Sequence, residues 1–299
     1  MKIAIIGASG FIGSNLKLFL SKFNYDITII SLRLAKYNFN ANNFDVIINL
    51  AGKAHDTNNI SNSSEYFNVN TKLCNRIFDS FLSSNAIKFI TISSIKAVSD
   101  FSENNFITEN TFEAPSSIYG RSKLAADKYI LNHSLNSFKK FYILRPAMVY
   151  GLGNKGNLNL LYNFVTKSRF WPLSAFINKR SFCYVDNLCY TINELIIQHN
   201  IESGIYNIAD DDTISTNQII SIISDITGKK IYFISIPKKI IKLLFYFGGI
   251  LKSKYNSILL KKITENYLVS NRKITAAIGN NMPYKTNVEL FKTFISFRG

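Results

Sequence analysis

Short apolar runs alternate with longer amphipathic stretches through the first half of the chain. Lys2-Ile3-Ala4-Ile5-Ile6 has strand length and stops at Gly7. From Phe11 to Phe23, Ile12, Leu16, Phe19 and Leu20 fall on one face at helical spacing, which predicts a helix with one buried side. Residues 26–30 and 44–50 read as strands, and 65–82 as a helix with Phe67, Thr71, Cys74, Phe78 and Phe81 near one stripe. Residues 88–92 form a strand that ends at Ser93-Ser94. A polar loop over 100–116 leads into a helix expected over 117–134, and the strand 141–144 is stopped by Arg145-Pro146. Strands alternating with helices predict an α/β fold, a parallel sheet covered on both faces.

After residue 150 the alternation loosens. Gly151, Gly153 and Gly156 mark a turn-rich stretch before a helix over 158–166. A strand at 181–185, a helix at 186–198 and short strands near 206–209 and 231–233 follow. This half reads as a smaller mixed lobe.

Composition narrows the class. The 299 residues are 47% hydrophobic and 18% charged, which suits a globular chain with a large core. Cys74, Cys183 and Cys189 are odd in number and lack a Cys-x-x-Cys pair, and the three histidines are scattered. A disulfide framework and a metal site are therefore not expected. Lys and Arg exceed Asp and Glu by 35 to 19, a net charge of +16, so anions are the expected partners. With no zinc finger, aromatic RNA-binding motif or basic arm, nucleic acid is not expected. Residues 1–6 run straight into a glycine turn with no cleavable apolar leader, and the protein is read as cytoplasmic. The apolar stretch 240–251 contains Lys242 and two glycines and is too short to span a bilayer. The basic, aromatic segment 238–262 reads as a packed amphipathic helix or a weak contact with an anionic membrane.

Two motifs carry chemistry. Gly7-Ala8-Ser9-Gly10-Phe11-Ile12-Gly13 lies between the first strand and the first helix. Glycines there permit a tight turn and close backbone approach to a pyrophosphate, with the helix N-terminus facing it. This predicts a dinucleotide-binding lobe over 1–150, with segments near 180–210 returning to it, and a substrate-binding lobe over 151–299. Dinucleotide sites that prefer NAD place an acidic residue after the second strand. Here Ser31 and Arg33 follow it; they suit a 2′-phosphate and favour NADP(H), with NAD(H) left open. The second motif is Tyr119-Gly120-Arg121-Ser122-Lys123, with Ser93-Ser94 upstream. Four residues apart on a helix, Tyr119 and Lys123 share a face. A nearby ammonium favours the phenolate and should draw the phenol toward the working pH range.

The order of Gly7-x-x-Gly10-x-x-Gly13, Asn49-Leu50-Ala51-Gly52, Asn68-Val69-Asn70, Ser93-Ser94, Tyr119-x-x-x-Lys123 and Arg145-Pro146-x-x-Val149-Tyr150-Gly151 resembles the extended short-chain dehydrogenase/reductases, in particular the nucleotide-sugar epimerase, dehydratase and reductase group. The resemblance implies a Rossmann-type doubly wound sheet with a smaller C-terminal lobe, and commonly a homodimer. It implies Tyr119 as proton donor or acceptor, Lys123 on the nicotinamide ribose and Ser94, in preference to Ser93, on the sugar oxygen. Gly7, Ser9, Gly10, Phe11, Ile12, Gly13, Leu50, Ala51, Gly52, Asn70 and Pro146 would face the cofactor, with Asn70 also a structural support. Arg180 and Asn157 would hold the diphosphate of a UDP-sugar, and Trp171 would stand near the base or in the core. No Gly-Asp of the usual adenine contact is found, because only 14 residues separate Ile30 from Asp45.

Sugar dehydratases of this group carry an Asp-Glu pair after the catalytic serine or threonine; here Ile95-Lys96 follows Ser94, so elimination is not expected. Segments 93–96, 119–123 and 155–157 are most similar to reductases of UDP-2-acetamido-2,6-dideoxy-4-hexulose, which supply precursors of surface polysaccharides. The first expectation is therefore NAD(P)H-dependent reduction of a 4-keto sugar. A UDP-hexose or UDP-N-acetylhexosamine 4-epimerase is the alternative, and a non-catalytic NADP-binding sensor is the alternative of another class.

Overall fold

The computed structural model describes residues 1–32, 39–53, 62–102, 105–154, 156–250 and 257–298. Six parallel strands form the main sheet: β1 (Lys2–Ile6), β2 (Asp26–Ile30), β3 (Val46–Asn49), β4 (Lys88–Ile92), β5 (Lys140–Pro146) and β6 (Gly204–Ile208). Their spatial order is β6-β5-β4-β3-β1-β2. The central strands β3 and β4 are buried along their whole length, as apolar runs in a parallel sheet covered on both faces must be.

Side chains leave a strand on alternate faces, and the core divides accordingly. Ile3, Ile5, Val46, Ile48 and Ile90 join Leu16 and Leu20 of helix α1 (Phe11–Leu20) on one face. Ala4, Ile6, Ile47 and Phe89 meet Ile77, Phe78 and Phe81 of the helix Cys74–Leu82 on the other, together with Ile130 of helix α2 (Ile118–Leu131). Helix α3 (Val185–Ile197) packs against α1, and β6 pairs with β5 through Gly204↔Tyr142 to Ile208↔Pro146. The chain thus returns to the sheet after its excursion beyond residue 150.

The helix expected over 65–82 begins at Ser63 and contains a π-helical stretch, Phe67–Leu73. That wider turn holds buried Asn70, a placement typical of π-bulges at functional sites. The connection from β2 to β3 carries, among described residues, only the short 3₁₀ turn Ala41–Asn43. β2 is left at the sheet edge with Ile29 exposed.

Beyond residue 147 a separate three-stranded sheet forms from Met148–Tyr150, Arg180–Tyr184 and Thr213–Ile214. Phe170–Trp171 pairs with Tyr232–Phe233. The loop expected over 100–116 contains a two-residue strand, Phe106–Ile107, which pairs with Leu268–Val269. Helix α4 (Lys238–Ile250) and the helix Ser257–Thr264 pack against each other. No helix among the described residues is long and apolar enough to cross a membrane.

Candidate active site

The turn after β1 is shaped by its glycines. Gly7 has φ +87°, and a Cβ there would lie 2.6 Å from the Ala51 amide nitrogen. A Cβ on Gly13 would lie 2.5 Å from the Gly7 carbonyl oxygen, so α1 can approach the strand only with glycine at that position. Gly10 is the N-cap of α1, and no acidic side chain occupies the helix's first turn. Ser9 and Gly10 are exposed, and Phe11 and Ile12 are half-buried. The donors of the helix N-terminus, at an exposed glycine turn, fit a dinucleotide's phosphates.

The next strand ends bring further residues to the same place. Leu50, Ala51 and Gly52 follow β3. The Asn49 side chain accepts from the Ala51 amide at 3.1 Å, and Leu50 N–H donates to the Ile6 carbonyl at 2.8 Å. Asn70 fixes the following residue through both its groups: Oδ1 accepts from Lys53 N–H at 2.8 Å, and Nδ2 donates to the Lys53 carbonyl at 3.2 Å. Nδ2 also donates to Ser122 Oγ at 3.0 Å, which donates to the Tyr119 carbonyl at 2.8 Å. Asn70 thus ties the loop after β3 to helix α2.

Helix α2 is capped by Ser117, whose hydroxyl accepts from Gly120 N–H at 3.2 Å. It begins at Ile118 and ends at Leu131, shorter than the expected 117–134. Lys123 is buried. Its ammonium donates to the Ile92 carbonyl, the last of β4, at 2.8 Å, and a Cβ on Gly52 would lie 3.0 Å from its Nζ. Lys123 therefore stands between the loop after β3 and the end of β4. Burial lowers its pKa, while the Cys74 and Asp127 side chains oppose that shift.

Ser94 follows β4 with extended backbone, and its Oγ accepts from Lys96 N–H at 3.2 Å. Ser94 also hydrogen-bonds Tyr119, so serine and phenol meet at the carboxyl end of β4. The Tyr119 phenol is raised above its ordinary value. Burial is the main cause, Asp127 and Tyr66 add to it, and the Ser94 hydrogen bond pulls the other way. The expectation that Lys123 brings the phenol toward neutrality is not met: desolvation outweighs the other influences on the phenol.

Ser93 has another task. Its Oγ donates to Asp127 Oδ2 at 2.9 Å, and Arg145 Nε donates to the same oxygen at 2.9 Å. Arg145 Nη2 reaches Glu113 Oε1 at 2.5 Å. Asp127 and Arg145 are buried; burial raises the Asp127 pKa and the Arg145 charge holds it down. This network lies one and two helical turns beyond Lys123 and Tyr119 and holds α2 against β5. In the sequence Arg145 read as a strand stopper and as part of the Arg145-Pro146 motif, with no sign of its ion pair, since a partner 18 residues away on another element gives no local signal.

Pro146 is buried at the end of β5. Ser31 is exposed after β2, whereas Arg33 lies outside the described residues. Asn157 opens the helix Asn157–Lys167, and its side chain is not among those described. Trp171 belongs to the core: it is buried and its Nε1 donates to Asn217 Oδ1 at 2.8 Å. Arg180 starts the strand Arg180–Tyr184, and its Nη1 donates to the Lys262 carbonyl. Lys96, two residues after Ser94, feels the charges of Asp100, Lys262 and Arg180, with burial the main cause of its lowered pKa. Lys96 thus feels the Arg180 charge from a position two residues beyond Ser94, a link that its place in the sequence did not reveal.

The glycine turn, the segment 50–52, Ser94, Tyr119 and Lys123 gather at the carboxyl ends of β1, β3 and β4, where open parallel sheets bind their ligands, and the class is that of the dinucleotide-binding α/β enzymes. The chain belongs to the NAD dependent epimerase/dehydratase family, whose sequence model matches residues 3–209. It is 26% identical over 295 residues, 91% of this chain and 84% of the relative, to N-acetyl-alpha-D-glucosaminyl-diphospho-ditrans,octacis-undecaprenol 4-epimerase of Escherichia coli O157:H7. It is 26% identical over 79% of its length, and 78% of the relative, to UDP-glucose 4-epimerase of Vibrio cholerae. Among solved structures, UDP-glucuronic acid 4-epimerase of Bacillus cereus with NAD matches the whole chain at a TM-score of 0.76 and 18% identity, covering 99% of that structure. RMD of Pseudomonas aeruginosa with NADPH matches at 0.75 and 15%, with both chains fully covered. At those identities the structural matches establish the fold.

Proposed function

We propose that the protein is a 4-epimerase of a hexose or N-acetylhexosamine carried on a diphosphate, with a nicotinamide cofactor retained through the cycle. The observation that carries this reading is the Ser94–Tyr119 hydrogen bond beside buried Lys123, in a chain matched over most of its length by two relatives named 4-epimerases. Nicotinamide chemistry supplies the acceptor and donor of a hydride. Acting as its phenolate, which the Lys123 ammonium favours, Tyr119 would take the O4 proton as C4 gives up its hydride and the carbonyl forms. After the sugar has turned its other face, Tyr119 returns a proton to O4 as hydride comes back to C4. Ser94 hydrogen-bonds O4, and Lys123 binds the ribose and holds positive charge beside the phenol. Gly7 to Gly13, Leu50, Ala51, Gly52 and Pro146 line the cofactor; Arg180 with Lys96 and Asn157 holds the diphosphate.

Reduction of a 4-keto sugar remains the second reading, favoured by Ser31 standing at the end of β2 where an NAD site would carry an acidic residue. Incubation with UDP-N-acetylglucosamine, UDP-glucose and the polyprenyl-diphosphate-linked N-acetylglucosamine separates the two. Interconversion of C4 epimers without net consumption of NAD(P)H supports the epimerase. Stoichiometric loss of NADPH absorbance with UDP-4-keto-6-deoxy-N-acetylglucosamine, and no epimer formed from any of the three sugars, overturns it in favour of the reductase.

A further inference from the structure

Among its described side chains, helix α4 is buried along one narrow stripe. Ile241 is buried and Phe245 and Gly248 are half-buried, positions i, i+4 and i+7 that face the rest of the chain. Ile240, Leu243, Leu244 and Phe247 follow the same spacing on another arc of the helix, and each is at least half exposed. Lys238, Lys239 and Lys242 occupy the remaining arc and are exposed. A helix that already packs a stripe has no need of a second apolar arc for its fold. That arc beside lysines is the pattern of a helix lying in a membrane interface. The segment is one-sided in charge: its described residues, 226–250 and 257–264, hold seven lysines and no acidic residue. A protein partner could cover apolar side chains, but so unbalanced a segment most directly complements a surface of uniform negative charge.

We infer that the exposed face of α4 docks on an anionic phospholipid bilayer. The face adjoins the candidate site. Helix Ser257–Thr264 packs on α4, and Arg180 donates to the Lys262 carbonyl within that helix. Docking through α4 therefore brings the cationic end of the site toward the headgroup layer.

Vesicle flotation of the full chain tests this without reference to turnover, so its outcome is independent of the reaction proposed above. Vesicles of phosphatidylcholine with phosphatidylglycerol should carry the protein at low salt and release most of it as the Debye length shrinks from about 10 Å to about 3 Å. Vesicles of phosphatidylcholine alone should carry roughly tenfold less. The variant Leu243→Ser with Phe247→Ser should keep its melting temperature, since both side chains are exposed, and lose binding to the anionic vesicles. Absence of binding to anionic vesicles, or equal binding by the variant, overturns the inference. So does a variant that changes the oligomeric state in free solution while the parent ignores both vesicle types, which would make the face a self-association surface.

Discussion

A Cβ on Gly120 would lie 2.3 Å from the carbonyl oxygen of Lys96. Helix α2 thus rests on the 3₁₀ turn Ile95–Ala97, and the glycine between Tyr119 and Arg121 lets the phenol meet Ser94. Pro115 Cβ would also stand 2.9 Å from the added methyl. Gly120→Ala should cost about 1–3 kcal/mol, the range of overpacking at a tight contact, read as a lower melting temperature. Turnover should fall further than stability alone explains, because α2 must move away from Ser94. An alanine variant with parental stability and rate would show that the turn yields freely.

The two adjacent serines should separate into different phenotypes. Ser94→Ala removes the hydroxyl that bonds Tyr119 and should lower kcat by roughly 10²–10³-fold, as loss of a donor to a reacting oxygen does. Ser93→Ala leaves Asp127 with one donor fewer in a buried site and should lower stability by about 1–3 kcal/mol with a smaller loss of rate. Denaturant midpoints and steady-state kinetics on both variants check this. Exchanged phenotypes would reassign the catalytic serine.

Tyr119→Phe should reduce turnover by at least ~10²-fold, the low end of a general acid–base contribution, and leave cofactor affinity within a few-fold. Lys123→Met should weaken cofactor binding as well. It also removes a cation that favours the phenolate, so the limb of kcat that rises with pH should move to higher pH. Cofactor titration and the pH–rate profile of the loaded enzyme measure both effects. Full activity in Tyr119→Phe would end its role in proton transfer.

Asn70 tests whether the loop after β3 must be clamped for cofactor binding. Asn70→Asp keeps an acceptor for Lys53 N–H but loses the donor to the Lys53 carbonyl and to Ser122 Oγ. A buried carboxylate then faces the carbonyl oxygen and should cost about 1–3 kcal/mol or more. The rise in melting temperature on adding cofactor should shrink, because the loosened segment 50–53 is part of the proposed cofactor surface. An undiminished rise would place Asn70 outside cofactor binding.

Local signals carried much of this architecture in the sequence. The apolar runs of β1, β3 and β4, the periodicity of α1 and the glycines at Gly7, Gly10 and Gly13 each lie within a few residues and report one element. What escaped depends on contacts across the fold. Lys88 read as the polar start of a strand, yet its ammonium donates to the carbonyls of Leu195, Ile196 and Gln198 and caps α3. Asp127 and Arg145 gave no sign that they pair beneath the site. Trp171, which sequence position left between base and core, is fixed by its bond to Asn217. The phenol of Tyr119 escaped for a further reason: spacing places a lysine near it but cannot measure burial, which sets the direction of its shift.

Asp210 offers a test of stability linkage. Its Oδ1 accepts from Tyr184 N–H and Asn187 Nδ2, and its Oδ2 from the hydroxyls of Tyr150 and Thr286. Burial nevertheless dominates and raises its pKa from 3.8 to about 6. A carboxyl whose folded pKa lies above its unfolded value binds more protons when folded, so its contribution is full below pH 3.8 and is lost as pH rises through about 6. The loss amounts to about 3 kcal/mol at most, at ~1.4 kcal/mol per unit. Asp210→Asn keeps an acceptor for Tyr184 and Asn187. Its amide can donate to the two hydroxyls, which already lie 3.3 Å from the carbonyls of Thr286 and Asp212, respectively, as alternative acceptors. The variant should therefore fold, lose the decline between pH 4 and 6, and at pH 7 match or exceed the parent in denaturant midpoint. A parental slope retained in Asp210→Asn would assign the titration to another group.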